Sequence, residues 1–67
     1  MTNSRQLAEA VRAACIKAAL EAYEEGGVLG LCAEGRWEYA ISALQKLDVA
    51  AVAAAWVERD TESARGI

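Results

Sequence analysis

The chain has 67 residues, a formal net charge of −3 and an isoelectric point near 4.8, and it contains neither histidine nor proline. Its length limits it to a single domain, residues 1–67, with a core too small to give more than marginal stability. An acidic chain repels phosphate backbones, and the absence of histidine removes most metal sites and most nucleophilic triads, so we expect no nucleic-acid partner, no metal and no cofactor.

The first predicted helix covers residues 4–25. Asn3 can cap its N-terminus, and Gly26-Gly27 can adopt the left-handed backbone that ends a helix. At 100° per residue the second half of this helix is apolar on two sides. Cys15 lies on one of them, where we expect a small buried thiol. The opposite side carries Ile16, Leu20 and Tyr23, which must be covered by the rest of the chain or by another copy.

A short apolar connector, residues 28–33, follows and is predicted to be buried or to form a single helical turn. Gly35 then predicts a tight turn that opens the second helix, residues 36–47. One continuous apolar stripe marks this helix as the clearest helical pattern in the chain. The stripe consists of Trp37, Ala40, Ile41, Ala43, Leu44 and Leu47.

Asp48 is a favourable N-cap for a third helix, residues 49–59. The bulky residues after Asp48 are out of phase with the preceding stripe, which favours a break at Leu47-Asp48 over one continuous helix. The alternative of a continuous helix that buries opposite sides in an oligomer stays open. Residues 60–67 are predicted to be a loose polar tail. The longest uncharged run, 49–57, falls short of the ~20 apolar residues that cross a bilayer, so no membrane partner is expected.

The segment Gly35-Arg36-Trp37-Glu38-Tyr39-Ala40-Ile41, with Ala43-Leu44 and Leu47-Asp48, resembles the turn and second helix of a tetratricopeptide repeat. That family combines a glycine turn, an aromatic residue and apolar residues at helical spacing. The resemblance implies helix–turn–helix packing here. It does not imply a peptide-binding groove, because ~3 repeats are needed for a stable stack. The whole chain also resembles small bacterial proteins of unknown function.

The favoured function is that of a non-enzymatic helical interaction module, a small all-α bundle of three helices completed by oligomerisation. The apolar helix surface exceeds what one small core can hide, and a two-fold dimer is the simplest way to cover it. Such a module would act as an adaptor or regulator, with a protein partner as a further expectation. The expected contact residues are Ile16, Leu20, Tyr23, Tyr39 and Trp56.

Two further interpretations concern ligands and catalysis. A small-ligand-binding protein, or an accessory subunit of an enzyme, would place a pocket near residues 28–37, lined by Leu31, Cys32 and Trp37. The tryptophans are otherwise expected in the core, which leaves Tyr39 as the better exposed contact. No catalytic residue stands out, and an enzyme is not favoured. The first ten residues lack the apolar core of a secretion signal, which favours the cytoplasm.

Overall fold

The computed structural model describes the backbone of residues 4–65 and the side chains of residues 4–59. It contains three α-helices: α1 over Ser4–Val28, α2 over Ala33–Lys46 and α3 over Val49–Arg65. No strand occurs within residues 4–65. The predicted all-α fold with three main helices is therefore confirmed, while the predicted helix boundaries need correction.

The chain divides into two compact units. The terminal unit comprises Met1–Ala14 and Asp48–Ile67, and the hairpin unit comprises Cys15–Leu47. The hairpin unit holds the second half of α1, the connection and all of α2. It contains every residue that the sequence assigned to a ligand pocket and four of the five predicted contact residues.

The C-terminus of α1 lies beyond the predicted end. Gly26 and Gly27 are helical, and the left-handed residue is Gly30, with φ 83°. The Gly30 N–H donates to the Gly27 carbonyl at 3.0 Å, and the Leu31 N–H donates to the Gly26 carbonyl at 2.9 Å. This pair of hydrogen bonds is a Schellman motif, which satisfies the last carbonyls of the helix. Any of the glycines can take the left-handed conformation, and packing of α2 against Gly26 and Gly27 keeps those two helical.

The connection and the start of α2 also differ from the prediction. Val28 is the last residue of α1, and both Val28 and Leu29 are exposed, so the prediction of a buried connector was wrong. Helix α2 begins at Ala33, with Cys32 in extended conformation as its N-cap. Gly35 consequently lies within the first turn of the helix and does not form a tight turn before it.

The predicted break between the second and third helices is confirmed. Leu47 has extended backbone, with φ −63° and ψ 126°, and ends α2. Asp48 Oδ1 accepts a hydrogen bond from the Ala51 N–H at 3.0 Å, and the Asp48 carbonyl accepts one from the Val52 N–H at 3.2 Å. Asp48 is thus the N-cap of α3, as its position in the sequence predicted.

The backbone of α3 remains helical through Arg65, beyond the end that the sequence predicted for the third helix. This segment contains no glycine before position 66 and no proline, and nothing local stops the helix at the predicted end. The predicted Asn3 cap, like residues 66–67, lies outside the described residues.

No single helix within residues 4–65 is long and apolar enough to span a membrane. Helix α2 and the first part of α3 reach the required length and composition only when they are counted together across the break.

Candidate functional site

Small side chains form the contact between α1 and α2 in the hairpin unit. Ala22 and Ala40 are each 6% exposed, and they are the only buried apolar side chains among residues 4–59. Gly26 is the other buried residue of α1. A Cβ on Gly26 would lie 3.2 Å from Cγ and 3.4 Å from Cα of Arg36, so the glycine allows the start of α2 to approach α1 closely.

Arg36 connects the two ends of this hairpin. Its Nε–H donates to the Leu31 carbonyl at 3.0 Å, and its guanidinium lies over the Tyr23 ring with 5.5 Å between Cζ and the ring centroid. The same guanidinium covers Gly27, where a Cβ would lie 3.0 Å from Cζ of Arg36. A part-buried arginine that stacks on an aromatic ring and donates to a carbonyl stabilises the end of the helix against the next helix.

An exposed apolar stripe runs along α1 in the hairpin unit. Ile16, Leu20 and Tyr23 are 53%, 60% and 40% exposed. Their spacing of four and three residues places them one above the other on one side of the helix. We call these three residues the apolar stripe. Its position agrees with the predicted second apolar side of α1, and the chain leaves all three side chains accessible.

Trp37 adds a large aromatic surface to the same side of the hairpin. Glu21, Glu25 and Tyr39 all line a groove on one side of the α1–α2 contact. At 100° per residue Tyr23 on α1 and Trp37 on α2 therefore fall on the other side. Trp37 is 62% exposed, so the expectation that it packs in the core was wrong, as was the ranking of Tyr39 above it as an exposed contact.

The groove on the opposite side of the hairpin has a volume of about 330 Å³. Tyr39, which is half-buried, lines this groove together with three alanines, Ser42 and three exposed charged residues. The lining residues are Ala18, Glu21, Ala22, Glu25, Tyr39, Ser42, Ala43 and Lys46. Tyr39 thus lies apart from the apolar stripe, although the sequence had placed both in one set of contacts.

Trp56 belongs to the terminal unit. It is half-buried and lines a cavity of about 240 Å³ with Ala10, Val52, Ala55 and Arg59. The predicted contact residues are therefore distributed over the apolar stripe, the groove and the cavity of the other unit.

The residues predicted to line a ligand pocket do not line either of these two volumes. Leu31 is half-buried and packs over Gly26 and Gly35. Cys32, which belongs to the connector that was expected to be buried, is exposed at the N-cap of α2, whereas Cys15 is half-buried. Leu31 therefore packs within the connection between α1 and α2, while Cys32 and Trp37 are exposed to solvent.

Charged residues flank the apolar stripe. Lys17 and Glu24 are exposed and lie on one edge of it. The Lys17 Nζ lies 4.0 Å from Oε1 of Glu21, and both side chains are largely exposed. An exposed pair at this distance contributes little to stability and leaves the lysine available to other carboxylates.

No protein-family model, curated protein or solved structure matches the chain. The resemblance of the segment from Gly35 to Asp48 to a tetratricopeptide repeat stays a prediction.

Proposed function

We propose that this chain is a self-associating helical interaction module without catalytic activity, whose apolar stripe is covered by a second copy in a two-fold dimer. The observation that carries the proposal is the contrast between the stripe and the core. Ile16, Leu20 and Tyr23 are exposed, while the buried apolar side chains within residues 4–59 are two alanines. Several of the large apolar side chains of the hairpin are therefore exposed.

The energetic reason for association follows from that contrast. A fully buried Leu or Ile side chain contributes ~1.5–3 kcal/mol relative to an exposed one, and alanine contributes far less. Among the described side chains none larger than alanine is buried, and none is fully buried. A small domain needs a further source of stability when its own core supplies so little.

A second copy is the occupant that fits this surface best. In a two-fold dimer the same patch lies on both partners, so a patch must be complementary to itself. The apolar stripe satisfies this condition because branched aliphatic and aromatic side chains pack well against their own kind. Trp37 lies on the same side of the hairpin and supplies the type of residue that is enriched at the centre of protein interfaces.

A dimer of this kind acts by presenting surfaces, as an adaptor or a regulator does. The groove that contains Tyr39 lies on the side of the hairpin away from the apolar stripe. It stays accessible when a second copy covers the stripe and is the surface on which we place a protein partner.

Self-association is tested by light scattering coupled to size exclusion, at micromolar concentration, on the wild-type protein and on Leu20→Gln. Glutamine keeps a high helix propensity and removes most of the apolar surface. Loss of two leucine contacts, one from each copy, is expected to raise the dimer Kd roughly 100-fold. A wild-type protein that elutes as a compact, stable monomer contradicts the proposal.

Leu29→Gln is the matched control. Leu29 is 61% exposed, against 60% for Leu20, but it lies beyond the end of α1 and outside the apolar stripe. The substitution removes the same atoms from an equally exposed position. We expect the dimer Kd of Leu29→Gln to stay within about twofold of wild type, since surface substitutions outside an interface have small effects.

A further inference from the structure

The charged residues at the edge of the apolar stripe indicate the orientation in which the α1 helices of two copies pair. Ile16, Leu20 and Tyr23 are separated by four and then three residues, which is the spacing of the contact positions in a pair of packed helices. Lys17 and Glu24 each follow one of the stripe residues and are seven residues apart, so both occupy the same flanking position of successive seven-residue repeats. Charges at such positions determine the orientation of paired helices.

We propose that the α1 helices of two copies pair antiparallel across the apolar stripe, with Lys17 of each copy facing Glu24 of the other. The proposal rests on the proposed dimer and adds the orientation and the charged contacts of its interface. In the antiparallel arrangement equivalent flanking positions of the two helices lie beside each other. The two-fold axis then passes near Leu20 and Glu21, midway between Lys17 and Glu24, and produces two identical ion pairs.

The parallel arrangement is opposed by the same charges. In a parallel pair, Lys17 would face Arg12 of the second copy, and Glu24 would face Ala19 of the second copy. The first contact brings two positive charges together and the second offers no partner for the carboxylate. Arg12 already pairs with Glu9 at 3.5 Å along its own helix, which does not remove its charge. Complementary charges at the interface therefore favour the antiparallel pair.

The side chains are free to make these contacts. Lys17 and Glu24 are both exposed. The contact of Lys17 with Glu21 is 4.0 Å long, and the lysine side chain is 78% exposed, so moving its ammonium towards Glu24 of a second copy disrupts no buried interaction.

Zero-length carboxyl-to-amine cross-linking of the wild-type protein tests the orientation directly. Unlabelled and ¹⁵N-labelled copies are mixed, so that mass spectrometry separates bonds between copies from bonds within one. We expect the Lys17–Glu24 amide among the products that join a labelled to an unlabelled copy. A dimer by light scattering whose cross-links lack this pair overturns the proposed orientation and leaves the proposed self-association intact. A monomer overturns both.

Charge reversal gives a second and independent readout. Lys17→Glu and Glu24→Lys should each raise the dimer Kd about tenfold, because each turns two attractive contacts into two repulsive ones. An equimolar mixture of the two variants should form the mixed dimer preferentially, since both of its flanking contacts are again attractive. Random exchange would make half of all dimers mixed, and finding that proportion would contradict the proposal.

Glu25→Lys is the control for Glu24→Lys. It makes the same change in net charge one residue further along α1, where the side chain lines the groove on the other side of the hairpin. We expect its dimer Kd to remain within about twofold of wild type, and an effect as large as that of Glu24→Lys would show that net charge alone is responsible.

Discussion

The guanidinium of Arg36 lies over the ring of Tyr23, with 5.5 Å between Cζ and the ring centroid. This contact joins the first turn of α2 to the C-terminal part of α1, and the hydrogen bond from Arg36 to the Leu31 carbonyl ties the connection to the same side chain. One arginine on α2 therefore contacts both α1 and the segment that connects the two helices.

Replacing Arg36 with lysine is expected to lower the free energy of unfolding by about 1–2 kcal/mol. Lysine keeps the charge but lacks the Nε–H and the planar group that stacks on the ring. Urea unfolding followed by circular dichroism, at a fixed protein concentration, measures the change. Tyr23→Phe is the control, because it retains the aromatic face and should change stability by less than about 0.5 kcal/mol. Unchanged stability of Arg36→Lys would exclude a stabilising role for the arginine.

Alanine at Gly26 should be less favourable than alanine at Gly27, by about 1 kcal/mol. Both positions are helical, so both substitutions gain a similar helix propensity. The atoms nearest to a new methyl group at Gly27 belong to the guanidinium, the far end of the flexible Arg36 side chain. At Gly26 the nearest atoms are Cγ of Arg36 at 3.2 Å and its backbone Cα at 3.4 Å, which have less room to shift. Urea unfolding of the two variants side by side gives the difference, and equal stabilities would contradict the close approach of the two helices at Gly26.

Gly30→Ala should destabilise the protein by about 1–2 kcal/mol, although the site has space for a methyl group. No atom lies within 4 Å of a Cβ placed on Gly30, so the cost comes from its positive φ of 83°. Gly30→Asn should lose less, because asparagine tolerates the left-handed region better than alanine does. Thermal and urea unfolding distinguish the two variants, and an alanine variant as stable as wild type would argue against the left-handed end of α1.

Asp48→Ala should cost about 1 kcal/mol by removing the N-cap of α3. The lost interaction is the 3.0 Å hydrogen bond from the Ala51 N–H to Asp48 Oδ1. Hydrogen exchange at the Ala51 amide should accelerate, since that amide then has no side-chain acceptor. Asp48→Asn keeps an acceptor oxygen and should retain most of the protection. If both variants exchange at the wild-type rate, the cap does not hold α3 in solution.

The two cysteines should differ in their reaction with a thiol reagent. Cys32 is exposed and Cys15 is half-buried on α1. A thiol reagent should modify the Cys15→Ser variant, which retains Cys32, several-fold faster than the Cys32→Ser variant, because access limits the reaction of the half-buried thiol. The rates are read by absorbance under native conditions, and unfolding in urea should make them similar. Faster modification of Cys15 than of Cys32 would contradict the relative exposure of the two thiols in the structure.

Local signals in the chain predicted its helices well. Three of these signals are the apolar period of α2, the polar residue Asp48 before α3, and the change of phase between the apolar residues of α2 and those of α3. Each depends on residues that are three or four positions apart and can be read directly from the sequence. The placement of Ile16, Leu20 and Tyr23 on one side of α1 follows from the same helical spacing. The sequence left open whether the rest of the chain covers that side, and in the structure all three side chains are exposed.

The sequence by itself therefore determined the all-α class, the number of main helices, the break before α3 and the apolar stripe on α1. The tertiary structure decided which glycine ends α1, because Arg36 packs onto Gly26 and Gly27 and leaves the left-handed turn to Gly30. It also decided that Trp37 faces outward. Helical periodicity indicates which residues share one side of a helix. Which side is covered depends on the position of the neighbouring helix, and that position results from contacts between residues that are distant in the chain.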